Sequence, residues 1–160
     1  MIVNRCVEQG IYVVLILSLQ KDHEPLKSTQ LSTIISVSDS YLKKILRKLV
    51  LANIVVSTTG KDGGFQLARS IEEITVYDIY AALEGKECEL KMTGIGNRIF
   101  IDDKKFEQGT NKVKTVFGNA NTAFGEELKK VYISELASAE NYLKGTIDFT
   151  QLINGQKLDH

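Results

Sequence analysis

From Val3 to Leu19 the chain is apolar on nearly every side, the pattern of a helix enclosed in a core. It stops before "QKDHEPLK", where Pro25, the single proline, marks a loop. Ser28 is placed to cap a short helix whose apolar face is Leu31, Ile34 and Ile35. "SVSDS" interrupts, and Ser38 or Asp39 caps a further helix running to about Ala52. Its apolar residues Leu42, Ile45, Leu46 and Leu49 recur at the spacing of one helical face. Two helices joined by a few residues, the second strongly amphipathic, make a helix-turn-helix pattern.

The period then changes. Val55 and Val56 start a β-run, "TGKDGG" is turn chemistry, and Phe65 to Ala68 is the return strand of a hairpin. "ITVYDIYAALEG" predicts a helix capped by Thr75 and stopped by Gly85. Residues 86–111 lack a clear period and are expected to be a loop or linker, punctuated by Gly94, Gly96 and Gly109. From about Asn111, a single helical face holds Val113, Val116, Phe117, Ala120, Phe124, Leu128 and Val131. A short helix opens near Ser134, and residues 146–160 read as a weakly ordered tail. The expected fold is mainly α with one small β-hairpin, without internal repeats.

Composition refines this picture. Apolar residues make up 43% of the 160, enough for a core of one domain with an appendage. Formal net charge is zero, yet it is segregated. Residues 26–69 carry Lys27, Lys43, Lys44, Arg47, Lys48, Lys61 and Arg69 against Asp39 and Asp62 alone, which is +5 for that stretch and −5 for the rest. An anionic partner for one region is the implication. Cys6 and Cys88 are far apart, so neither a disulfide framework nor a zinc knuckle is indicated, and a reducing cytoplasm is the expected compartment. The run Ile11 to Leu19 is too short to span a bilayer, and no signal peptide is evident.

Two stretches carry candidate chemistry. Opposite its apolar stripe, the second helix of the pair bears Ser40, Lys43, Lys44, Arg47 and Lys48. Lys43 with Arg47, and Lys44 with Lys48, are i, i+4 neighbours, each pair unfavourable by ~0.2–0.5 kcal/mol unless an anion neutralises it. Such a helix suits the DNA major groove, where Arg and Lys read guanine and hydroxyls meet bases or phosphates. A merely solvated basic face is the rival reading. The second stretch is "TTGKDGGFQLA". Its lysine precedes the glycine pair and a strand follows, which excludes a nucleotide P-loop, and no G-x-G-x-x-G is present. A hairpin directly after a basic helix instead looks like the wing of a winged helix. Thr59, Lys61, Gly63 and Gly64 would then approach the DNA backbone, with left-handed glycine conformations allowing it.

The stretch "SVSDSYLKKILRKLVLANIVVSTTGKDGGFQLARSIEEITVYDIYAALEG" resembles the DNA-binding core of the Rrf-two (IscR/NsrR/CymR-like) family of bacterial transcriptional regulators. Tyr41-Leu42, Gly63-Gly64-Phe65, Leu67-Ala68, Ile74-Thr75 and Glu84-Gly85 fall in the family's register over residues 28–85. The resemblance implies a winged helix-turn-helix domain over 1–85, a variable loop over 86–111 and dimerisation helices over 112–145. It further implies a homodimer on an inverted-repeat operator in double-stranded DNA, acting as a repressor or activator, with repression the expectation. Ser38, Ser40, Tyr41, Lys43, Lys44, Arg47 and Lys48 would face the major groove and flanking phosphates. Thr29 and Gln30 would touch the backbone, and the face from Val113 to Val131 would carry the dimer contact.

Departures from the family pattern shape the remaining expectations. Cluster-binding members carry three closely spaced cysteines after Glu-Gly, whereas this chain has Cys88 there alone. No family-type Fe–S cluster, metal or other cofactor is expected. Cys6 and Cys88 are the candidate redox residues. Yet Cys6 lies on an apolar helix and Cys88 between Glu87 and Glu89, whose charges oppose a thiolate. A small-molecule or protein effector acting on the variable loop is the other candidate signal. His23 and His160 lack ligand spacing, and nothing pairs a nucleophile with a base, so catalysis is not expected. The competing functional class is a dimeric winged-helix adaptor that has lost DNA binding. The clustered positive charge argues against it.

Overall fold

A computed structural model describes residues 4–85, 93–99 and 104–155. Helix α1 (Arg5–Leu19) starts at Asn4, whose side chain accepts from the Cys6 amide. Its Val7, Val13, Val14, Ile16 and Leu17 are all buried, on several sides of the helix, as an all-round apolar pattern requires. Other elements therefore pack around it. Helix α4 (Val76–Glu84) comes closest, at Gly10, where a Cβ would stand 2.5 Å from Leu83 Cδ1. Thr75 and Asp78 cap α4 reciprocally, with amide bonds of 2.8 and 3.2 Å, and Gly85 ends it at φ 99°.

Between these lie α2 (Ser28–Ile34), α3 (Asp39–Leu51) and an antiparallel hairpin of β1 (Val55–Ser57) and β2 (Phe65–Leu67). The hairpin register pairs Val55 with Leu67 and Ser57 with Phe65. Ser38 caps α3 by accepting from the Tyr41 amide. Ser28 is the first residue of α2 rather than its cap; Gln30 caps that helix instead, its Oε1 accepting from the Lys27 amide at 2.8 Å. Leu26 forms an antiparallel bridge to Phe65, so the loop before α2 lies against the hairpin. There Gly64 is obligatory, because a Cβ would meet the Leu26 carbonyl oxygen at 2.7 Å.

The second half departs from the sequence reading. Residues 93–111 are partly helical: α5 (Ile95–Ile99) precedes α6 (Lys104–Leu128), whose 25 residues start well before Asn111. The early turns of α6 escape a periodicity search because they are exposed nearly all round; Phe106 is half-buried, its ring lying on Gly96. The span 112–145 is not one continuous helix. Past α6 the chain returns to the body through a 3₁₀ turn (Ile133–Leu136), with Ile133 fully buried, and then α7 (Ala139–Lys144). Nor is 146–155 loose: α8 (Phe149–Gly155) is docked on α2. Its seven residues are too few for a clear period; Phe149 packs on the core and the buried Gln20 seats its amide. No helix among the described residues is long and apolar enough to cross a membrane.

Gly64→Ala should cost about 1–3 kcal/mol, the usual penalty for overpacking against backbone that has no room to move. Urea denaturation of the two proteins measures it; equal midpoints would contradict the tight Leu26 contact.

Candidate nucleic-acid interface

Helix α3 buries Leu42, Ile45, Leu46 and Leu49, and this fixes where every other side chain points. Opposite that stripe lie Ser40, Lys44, Arg47 and Leu51, all exposed. Among the described residues Lys44 and Arg47 make no side-chain hydrogen bond or ion pair, so two cations project from one face. Ser40 sits in the first turn, within 3.4 Å of the Ser38 hydroxyl.

The flanks of α3 are occupied differently. Lys43 pairs with Asp39 at 2.6 Å, an exposed i, i+4 bridge. Lys43 and then the Ser28 hydroxyl hold the Asp39 carboxyl below the usual carboxylate range. Lys48 does not join the outward face. Its Nζ donates to the Leu83 carbonyl at the end of α4, a cation at a helix C-terminus. Tyr41 likewise leans toward α1, its hydroxyl donating to Gln9 Oε1 at 2.9 Å. The like-charge pairs expected from sequence are thus mostly relieved inside the protein. Helical spacing gives the Asp39–Lys43 pair but not the Lys48 contact, because Leu83 comes from another helix.

Thr29 is exposed on α2, whereas Gln30 is half-buried with both ends of its amide engaged. On the hairpin, Thr59, Gly60 and Lys61 are exposed at the tip, and Gly60 has φ 114°. Gly63 and Gly64 do not take the left-handed conformation expected of them. Gly64 is buried against Leu26, and a Cβ on Gly63 would meet the Thr58 carbonyl oxygen at 2.5 Å. Their closeness is to the protein's own backbone. Arg69 lies at the hairpin base, bonded to the Glu73 carbonyl and 3.4 Å from Asp78.

The expected dimer face divides in two. Val113, Val116, Phe117 and Ala120 are exposed on the free part of α6, Phe117 by 49%. Phe124 and Leu128 turn back on the body, Phe124 meeting the Tyr80 ring edge-on at 5.2 Å. Val131 lies past the helix, its carbonyl accepting from the Val76 amide at 2.9 Å.

Comparison with known proteins extends this geometry. A family described as "Rrf2: Iron-dependent Transcriptional regulator" matches residues 3–139. A candidate HTH-type transcriptional regulator, YffB, of Lactococcus lactis is 30% identical over 135 residues, 84% of this chain and 86% of its own length. The HTH-type transcriptional regulator NsrR of Oceanobacillus iheyensis is 22% identical, over 88% of this chain and 92% of its own. Among solved structures, CymR, the global cysteine regulator of B. subtilis, superposes with a TM-score of 0.61 at 21% identity, covering 86% of this chain and 97% of CymR. IscR of T. potens does so at 0.55 and 21%, over 100% and 93%.

Iron in that family description asks for ligands. Among the described residues no three His, Cys, Asp or Glu side chains converge as a metal site. Cys88 lies outside the described residues. Cys6 is engaged as a thiol, Sγ donating to Glu84 Oε1 at 3.0 Å. Burial first, then the Glu84 bond and charge, push its pKa from 9.0 to about 11. A metal ligand is a thiolate, so this proton would have to leave, and the Glu84 bond break, before Cys6 could hold iron.

The thiol state of Cys6 is directly measurable. At pH 8 about one molecule in a thousand should carry a Cys6 thiolate, so alkylation there should run roughly a hundredfold slower than for free cysteine. Site-resolved mass spectrometry reads this, and Glu84→Gln should raise the rate. The pH sign follows: between pH 9 and about 11 the unfolded chain ionises first, and the fold loses stability as pH rises.

Proposed function

The chain belongs to the Rrf2 family of transcriptional regulators, with a DNA-binding helix-turn-helix, and from that premise we propose a homodimeric repressor of an inverted-repeat operator. The observation that carries this reading is the outward stripe of α3. Lys44 and Arg47 stand there exposed and, among the described residues, without partners, with Ser40 at the N-terminal end, where a recognition helix meets base edges. Lys61 and Thr59 on the hairpin tip are the wing contacts, and Thr29 adds one from α2. Lys43 exchanges Asp39 for phosphate at small cost, since an exposed bridge is worth little. Lys48, Tyr41, Gly63 and Gly64 hold the frame in this reading rather than touching DNA.

Dimerisation is supported by α6. A helix that stands mostly free in water is marginal by itself, more so with Gly109 and Gly118 inside it. Its exposed Val113, Val116 and Phe117 need cover. Beside its root lies an apolar groove of about 530 Å³ formed by Val7, Ile11, Leu15, Tyr80 and Phe124, suited to a second copy's helix. A symmetric pair places two recognition helices on successive half-sites, and bound there it obstructs transcription. No family-type cluster enters this reading, and an effector, if one acts, is a small molecule or protein. The cytoplasm, where the DNA is, is the place of work.

The first test is binding of the purified chain to its own upstream region and to a scrambled duplex of equal length, over several salt concentrations. A preference of ~10³ or more near physiological salt establishes a specific regulator. Equal, steeply salt-dependent binding means only phosphates are read, and favours the adaptor alternative.

Variants separate the roles. Lys44→Ala and Arg47→Ala should each weaken operator binding by ~1–3 kcal/mol at an unchanged dimer mass. Lys48→Ala should lower stability and leave selectivity intact. Lys61→Ala should weaken all duplexes alike and reduce the salt slope by about one. Phe117→Glu should yield monomers in sedimentation equilibrium; an intact dimer would remove α6 as the contact.

A further inference from the structure

The family match ends at residue 139, but the chain continues and stays attached to the body. Helix α7 lies along α1. The following residues then pair, backbone to backbone, with the segment leaving α1. The Ile147 amide donates to Leu19 O at 2.9 Å, the Lys21 amide to Ile147 O at 2.8 Å, and the Asp22 amide to Gly145 O at 3.1 Å. The approach needs glycine twice over: Gly145 has φ 62°, and a Cβ there would stand 2.1 Å from the Gln20 carbonyl oxygen. Gln20 itself is 1% exposed, and its Oε1 accepts from the Phe149 amide at 3.2 Å, which seats the start of α8.

From this anchor the segment reaches both elements assigned to DNA. On one side α8 lies on α2, where Gln30 Nε2 donates to Thr150 Oγ1 at 3.2 Å. On the other, His23 Nε2 meets the Leu143 carbonyl at 3.3 Å, and the His23 carbonyl accepts from Gln66 Nε2 of β2 at 2.8 Å. Helix α2 has 7 residues, too few to hold a geometry by itself. It is gripped by α3 on one face and α8 on another.

We propose that residues 139–155 form a strap that positions the first helix of the helix-turn-helix pair and the wing for operator recognition. Gln20, Gln30 and His23 are its positioning residues. This rests on the DNA-binding reading above. The strap adds no DNA contact; it removes freedom from α2, so that Lys44 and Arg47 meet base edges in one register. Positioning of this kind acts on selectivity between sequences, because phosphate contacts tolerate small shifts and base contacts do not.

Two full-length variants test it. Thr150→Val removes only the link to Gln30 and keeps the shape. Gly145→Val unseats the backbone pairing. The readouts are affinity for operator and for scrambled duplex, dimer mass, and hydrogen exchange at α2 and α8 amides. The expected result for Thr150→Val is a three- to tenfold loss of operator affinity, and for Gly145→Val a loss beyond tenfold. Scrambled-duplex binding should not move, dimer mass should not change, and α2 amides should exchange faster. Should Gly145→Val fail to fold, Thr150→Val decides alone. Full selectivity in the variants, with α8 amides exchanging freely, would overturn the strap, and so would tighter operator binding, which marks an inhibitory segment. Absence of selectivity in the unmodified chain would instead overturn the DNA reading, and the strap's role with it.

Discussion

The body of the domain is arranged by the need to cover α1. A helix apolar on most sides has no stable position at a surface, so α3, α4, the hairpin and the returning C-terminal segment all pack against it. Gly10 sets how near α4 can come, since Leu83 occupies the space a side chain would take. The end of α4 is thereby fixed, and with it the Leu83 carbonyl that receives Lys48 of α3. Tyr41 reaches Gln9 on the same side. The recognition helix is thus held along one flank by α1 and α4, which leaves its opposite stripe free for a partner.

That arrangement explains how a chain of zero net charge presents a cationic face. The +5 stretch does not act as a block. Lys43 is neutralised by Asp39, Lys48 by a helix end and Arg69 by Asp78 and a carbonyl. What projects is the smaller set containing Lys44, Arg47 and Lys61. A few free cations at defined places favour discrimination over indiscriminate adhesion to phosphate, since nonspecific affinity rises with every phosphate neutralised.

The helix-turn-helix and the hairpin were legible because their signals are local. A cap, an apolar spacing and a glycine turn lie within a few residues of one another. The stripe of Lys44 and Arg47 could be drawn from periodicity alone. The partners of Lys48 and Tyr41 could not, because they come from α4 and α1, far off in sequence. The need for Gly64 was hidden for a related reason: Leu26, which passes over it, is far off in sequence. The C-terminal segment was hardest to see. Its anchors are main-chain bonds to Leu19–Asp22 and the side chain of Gln20, which carry no apolar period. A glutamine at a helix end and a glycine at 145 are their traces in sequence. Cys88 lies outside the described residues, so its expected role stays with the sequence.

Helix α4 also connects the two surfaces that a dimeric regulator must keep in step. The root of α6 rests on it through Phe124 against Tyr80, Gly125 against Tyr77, and Lys129 over the Tyr77 ring. At its other end α4 holds α3 through Lys48. In the homodimer proposed here, half-site spacing is then set along α6, α4 and α3, three helices joined by packed rings and a capped carbonyl. The hairpin and the C-terminal strap lie off this path and act on the other side of the domain, at α2 and β2. Spacing between half-sites and fit within each half-site are therefore governed by different contacts. A change at the α6 root should alter the first without the second, and a change at Gln20 or Thr150 the reverse. In that proposed homodimer, selectivity and operator spacing are separable by substitution, because no contact among the described residues carries both.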